Sequence, residues 1–138
     1  MRISALVNNQ ESRHDIKLTT NDQSRSLTIP PKATGFGSSV NGGELLMLAL
    51  ATCYCNDIYR EAEKKGIPVQ SVEVNVEADF GGPGEPARNV AYRARVTAQA
   101  SEEAIRSLIQ HTDQVAEIHN SLRGATPVTL ARIEVVSV

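Results

Sequence analysis

Residues 45–56 (Leu-Leu-Met-Leu-Ala-Leu-Ala-Thr-Cys-Tyr-Cys-Asn) carry no charge, and apolar side chains recur at every angle around a helix built from them. A helix that is apolar on all sides is expected to be buried nearly all round. Asn41 with Glu44 three residues on is a capping-box pattern and opens this helix. Lys64-Lys65-Gly66 followed by Pro68 closes it, with cations in the last turn and a glycine at the left-handed stop. The element so bounded has about 22 residues and is on the order of 33 Å long. Its second half, Arg60-Glu61-Ala62-Glu63-Lys64-Lys65, is polar and is expected to protrude into solvent.

The flanking segments alternate with a period of two. Strands are predicted over 2–7, 14–20 and 25–29, with turns at Asn8-Asn9 and Asn21-Asp22; Pro30-Pro31 ends this meander and 32–43 reads as a connector. Beyond the helix, 71–79 sets Val72, Val74, Val76 and Ala78 against Glu73, Asn75, Glu77 and Asp79. Residues 90–99 repeat that alternation. A second helix over 102–115 starts at the N-cap Ser101 and carries the stripe Ala104, Ile105, Leu108, Ile109, Thr112, Val115 and Ala116. A short helical turn over 118–122 stops at Gly124, and 128–138 is predicted as a final strand. The order βββ-α-ββ-α-β defines an α+β fold with a mostly antiparallel sheet, in a single domain over 1–138. One sheet face covers one side of the first helix only. A second copy of the chain is the simplest cover for the rest, so a homodimer centred on that helix is expected.

Composition narrows the function. The net charge of -2 offers no basic surface for nucleic acid or anionic membrane. The uncharged run is far shorter than the roughly 20 residues that cross a bilayer. The alternating N-terminus does not read as a signal peptide. A reducing cytoplasmic setting is therefore expected, where free thiols are ordinary.

The chain has two cysteines, Cys53 and Cys55, both in the apolar half of the helix. Two positions apart they point roughly 200° from one another, so neither an intrahelical disulfide nor a local metal clip is expected. Buried cysteines pack more often than they react. Reactivity needs a thiolate, and Asp57, one turn on, opposes it. The positive field would have to come from outside the helix, with Arg13 and Arg25 as candidates. His119 falls on the segment expected to pack on the central helix. A site joining it to Cys53 or Cys55 has the wrong spacing for local zinc binding, so no metal and no cofactor are expected.

The segment Asn41-Gly-Gly-Glu-Leu-Leu-Met-Leu-Ala-Leu-Ala-Thr-Cys53 resembles the helix start of the OsmC/Ohr family. Tyr59 to Gly66 is similar to that family's helix end, and Asn120-Ser121-Leu122 resembles the end of its second motif. The resemblance implies an intertwined dimer with sheets wrapped around two central helices. It also implies thiol-dependent reduction of organic or fatty-acid hydroperoxides in oxidative or osmotic stress defence. On it Cys53 is the peroxidatic cysteine, Glu44 matches the glutamate of the OsmC-like branch, and Arg25 or Arg13 supplies the arginine. Position 116 holds alanine where the family has its resolving cysteine, so an oxidised Cys53 would need an external thiol. The alternative is a non-catalytic dimeric scaffold, or a binder of small apolar ligands, whose cysteines only pack.

Overall fold

A computed structural model describes all residues, Met1–Val138. The chain divides into two compact units, Met1–Leu46 and Met47–Val138. The first unit is a three-stranded antiparallel sheet in the order β1 (Ile3–Gln10), β2 (Arg13–Thr20), β3 (Gln23–Ser26). The register pairs Ile3 with Thr20 and Gln10 with Arg13, which puts the first turn at Glu11-Ser12. Ser12 takes φ 59° there. The turn predicted at Asn8-Asn9 is therefore displaced: Asn9 stays in the ladder opposite His14, and its Oδ1 accepts the Gly37 N–H at 2.9 Å. Asn21, at φ 51°, makes the second turn where expected. The connector closes on itself through Lys32 N–H to the Gly37 carbonyl (3.1 Å) and Ser39 N–H to the Pro30 carbonyl (2.9 Å).

Helix α1 (Gly42–Lys65) starts in the first unit and continues in the second. Both of its ends follow local chemistry. The Glu44 N–H donates to Asn41 Oδ1 at 2.9 Å and the Asn41 N–H donates to Glu44 Oε2 at 2.7 Å, which is the reciprocal capping box. At the other end Gly66 adopts φ +62°, its N–H reaches the Glu63 carbonyl, and the Ile67 N–H reaches the Ala62 carbonyl. These two bonds satisfy two of the last four carbonyls of the helix.

In the second unit, β4 (Val69–Asp79) and β5 (Arg88–Ala98) form an antiparallel pair, with Val72 opposite Val96, Val74 opposite Ala94 and Val76 opposite Tyr92. Helix α2 (Glu102–Val115) is capped by Ser101, whose Oγ accepts the Ala104 N–H at 3.2 Å. A third helix, α3 (Glu117–Arg123), ends at Gly124. Tyr54, Ile58, Ala62, Leu108 and Ala116 form the core, and Val72, Val74, Tyr92, Ala94 and Val96 pack against it from the sheet. Alternation on the two strands thus delivers one apolar face to α1 and α2, as the period of two requires.

Two expectations differ from what forms. The order is βββ-α-ββ-α-α: residues 126–138 take up no secondary structure, so no strand forms over 128–138. Val128, Leu130, Val135 and Val136 are exposed there, and within one chain no strand pairs with them. Within the single chain the burial of α1 is uneven. Its well-covered part is 54–62, where Tyr54 and Ile58 are fully buried, while Leu48 in the apolar half is 58 % exposed. The polar second half does not simply protrude, because Glu61 is buried as an ion-pair hub. Its Oε1 meets Arg60 Nε and Lys64 Nζ at 2.9 Å, and its Oε2 meets His111 Nε2 at 3.1 Å on α2. Bonds from Lys64 and Arg60 hold its carboxyl down at about 2, so it stays charged and fastens α1 to α2.

Candidate functional site

The period of the helix sets the site. Cys53, Asp57 and Arg60 are spaced i, i+4, i+7 and share one face of α1. That face meets the start of α3. Cys53 Sγ lies 3.4 Å from Asp57 Oδ2 and 4.0 Å from Glu117 Oε2. Arg60 Nη1 bridges the two acids, at 2.8 Å from Asp57 Oδ1 and 3.0 Å from Glu117 Oε1. Asp57 is buried, whereas Glu117 is exposed.

The electrostatics oppose a thiolate. Burial pushes the Cys53 thiol up; the Ile118 backbone N–H works against this, and Asp57 and Glu117 add to the rise. Burial and the adjoining Glu117 raise the Asp57 carboxyl, against the pull of Cys53 and Arg60. The Glu117 carboxyl is held low by its own backbone N–H and by Arg60. One sulfur and two carboxylate oxygens within 4.8 Å of one another are also a three-donor set for a cation. Arg60 Nη1 is shared between the two carboxylates of this set.

Cys55 faces elsewhere. It lines a cleft of about 250 Å³ with Ala51, Thr52, Asn56 and Val74, and both cysteines are free thiols. Ala116 is fully buried in the core beside Tyr54, directly before the residues that reach Cys53. His119 is buried against the rings of Tyr92 (4.8 Å between centroids) and Tyr54 (5.6 Å), and neither ring nitrogen has a hydrogen-bond partner. Burial, then Arg123, hold its imidazole below its ordinary value, which keeps it neutral. The Tyr54 hydroxyl donates to the Ile109 carbonyl at 2.7 Å, and the Tyr92 hydroxyl donates to Asp113, which also pairs with Arg123 at 2.6 Å.

The other candidates from the sequence belong to the first unit. Arg25 sits on β3 opposite Leu18 and, with Arg13, Asp15 and Lys17, lines a cleft of about 490 Å³; Arg13 is paired with Asp15. Glu44 is occupied by the helix cap. The arginine that stands beside the cysteine cluster is Arg60, expected from its polar surroundings to lie in solvent. The i, i+4, i+7 spacing was the available signal for it. Glu117 had none, because its approach to Cys53 comes from 64 residues away.

A family model described as OsmC-like protein matches residues 35–131, and the chain belongs to that family. No curated protein sequence matches it significantly. Among solved structures it is similar to an OsmC-like protein from Mycoplasma pneumoniae (22 % identity, TM-score 0.60, covering 91 % of this chain and 88 % of that one). It is also similar to an organic hydroperoxide resistance protein OsmC from Legionella pneumophila (17 %, 0.55, 88 % and 90 %). A third is an organic hydroperoxide resistance protein from Elizabethkingia anophelis (17 %, 0.53, 90 % and 89 %). At these identities the likeness is one of fold. No helix is long and apolar enough to cross a membrane.

Proposed function

We propose that the protein reduces small apolar organic hydroperoxides through Cys53, with an external thiol as reductant, as a homodimer in a reducing cytoplasm. The observation that carries this reading is a free thiol at the family's motif position, with its sulfur facing the start of α3 at Glu117. The names of the Legionella and Elizabethkingia structures point to the same chemistry. Sulfur attacks a peroxide oxygen, the O–O bond breaks, and an alcohol leaves Cys53 as a sulfenic acid. With alanine at 116, a first external thiol condenses with that acid and a second releases the reduced cysteine. In this reading Arg25 and Glu44 have the roles that the family resemblance gives them, contributed across the assembled dimer.

The assay is direct. Protein, dithiothreitol and cumene hydroperoxide are expected to give turnover that Cys53→Ser abolishes and Cys55→Ser leaves intact. A second reading, a non-catalytic dimeric scaffold, draws on the raised Cys53 thiol and on Ala116. Absence of wild-type turnover selects it.

The dimer rests on the uncovered apolar part of α1, where Leu48 is 58 % exposed, and on the unpaired segment 126–138. Light scattering should return the mass of two chains. A single-chain mass at micromolar concentration would remove the dimer from the proposal.

A further inference from the structure

Helix α3 is fixed to its unit through a titratable anchor. It has seven residues, too few to hold a helix together alone in water. A break at Ala116 (φ -72°, ψ 105°) separates it from α2, and beyond its cap at Gly124 neither a helix nor a strand follows. Its one buried side chain is His119, 5 % exposed, whereas Ile118 and Leu122 are 38 % and 44 % exposed. Ion pairs at its two ends, Arg60 with Glu117 and Arg123 with Asp113, add to the attachment.

The His119 imidazole is packed as an apolar ring would be. It lies against Tyr54 of α1 and Tyr92 of β5, and neither nitrogen has a hydrogen-bond partner. Both nitrogens are shut off from the surface within one chain, so a second chain cannot reach them to supply one. The titratable and charged groups that face the ring are Tyr54 from α1, Tyr92 from β5, Asp113 from α2 and Arg123 from α3 itself. Arg123 opposes a charge on the ring and Asp113 favours one, but Asp113 is already engaged by Arg123 and the Tyr92 hydroxyl. A proton on His119 therefore puts a cation without an acceptor into a dry site, which is costly.

We propose that His119 is an acid-sensitive latch: its protonation releases α3 from α1 and β5 and uncovers the side of Cys53 that Glu117 faces. Released, the ring stands in water and takes a proton at its ordinary value of about 6.5. The open form thus binds the proton more readily than the closed one. Closure is fully stable above about pH 6.5 and loses stability as the pH falls below it. The pairs at the ends of α3 keep their charge in that range, because Asp113 and Glu117 are both held low. Asp57, whose carboxyl is raised by burial, is the other acid near this helix, and a substitution at 119 leaves it in place. The latch works whether or not Cys53 reduces peroxides, since no step of it uses the thiol.

Hydrogen–deuterium exchange, corrected for the intrinsic effect of pH on amides, reads the opening of α3 directly. In the intact protein, exchange of the α3 amides should rise roughly five- to tenfold between about pH 7.5 and about pH 5.5, while the α2 amides stay as they were. His119→Phe keeps a ring between the two tyrosines and carries no proton. Its α3 should exchange more slowly than that of the wild type and show no rise on acidification.

Three results overturn the latch. One is no acid rise in the wild type. Another is a rise of equal size in His119→Phe, which puts the sensor elsewhere. The last is a rise shared equally by α2 and α3, which means that the unit opens as a whole. Where His119→Phe fails to fold, NMR of the His119 ring in the intact protein takes its place. The ring should titrate below about 6.5 and in step with α3 exchange; titration at about 6.5 with α3 still protected overturns the latch as well. None of these outcomes bears on hydroperoxide turnover, which the dithiothreitol assay decides separately.

Discussion

Oxidised Ala116→Cys is expected to carry a disulfide between Cys53 and the introduced thiol, and to unfold at markedly higher denaturant than its reduced form. The family places its resolving cysteine at this position, and the chain around it is still arranged for one. Ala116 is buried in the same core cluster as Tyr54, and the residue after it brings Glu117 Oε2 to 4.0 Å from Cys53 Sγ. The closed loop would run from residue 53 to residue 116. Chain entropy assigns a link of that span about 4 kcal/mol, less any strain in the bond. Comparing oxidised and reduced samples of one variant removes the effect of the extra sulfur on core packing. Mass spectrometry should show the loss of two hydrogens after one equivalent of hydroperoxide. Sulfinic acid at Cys53 with the introduced thiol still free would mean that the two sulfurs do not approach, and the motif alignment would be wrong.

Leu108→Ala is expected to cost about 2–5 kcal/mol, the range for emptying a fully buried leucine site. Leu108 is 0 % exposed and lies where α2 meets Tyr54, Ile58 and Ala62 of α1. Tyr54 is held from outside the cavity by its bond to the Ile109 carbonyl, and α1 is fastened to α2 through Glu61, which meets Arg60, Lys64 and His111. Collapse around the missing side chain is therefore restricted, which favours the upper part of the range. The melting temperature should fall by roughly 10 °C, at about 3 °C per kcal/mol for a domain of this size. Wild type and variant must be melted at equal concentration, because an associating chain gains stability by mass action. A change under about 1 kcal/mol would mean that the core organises around other residues.

What was readable in the sequence was what local chemistry decides. The ends of α1 follow from Asn41, Glu44 and Gly66, and the start of α2 from Ser101, because each cap is made by residues three or four apart. The β4–β5 pair and the α2 stripe were readable because their apolar periods of 2 and 3.6 serve a single core. Burial along α1 was not. Composition marks which residues avoid water, but Ile58 and Ala62 are covered by their own chain while Leu48 is left open, and that depends on where β4, β5 and α2 end. The strand expected over 128–138 has the right residues and lacks a neighbour to pair with. At the site, Cys53 with Asp57 could be read from the helix period. Glu117 could not, since long-range approach leaves no trace in spacing, and Arg60 was hidden among other polar residues. Glu61 has the composition of a solvated surface residue and becomes a buried hub because Arg60, Lys64 and the His111 ring converge on it.

The bare main chain of residues 128–138 also bears on how the protein behaves in a tube. Exposed, rich in apolar side chains and without a ladder, it is an open template to which another extended polypeptide can add. It carries an ingredient of cross-β growth, so mild denaturant or prolonged agitation risks seeding fibres.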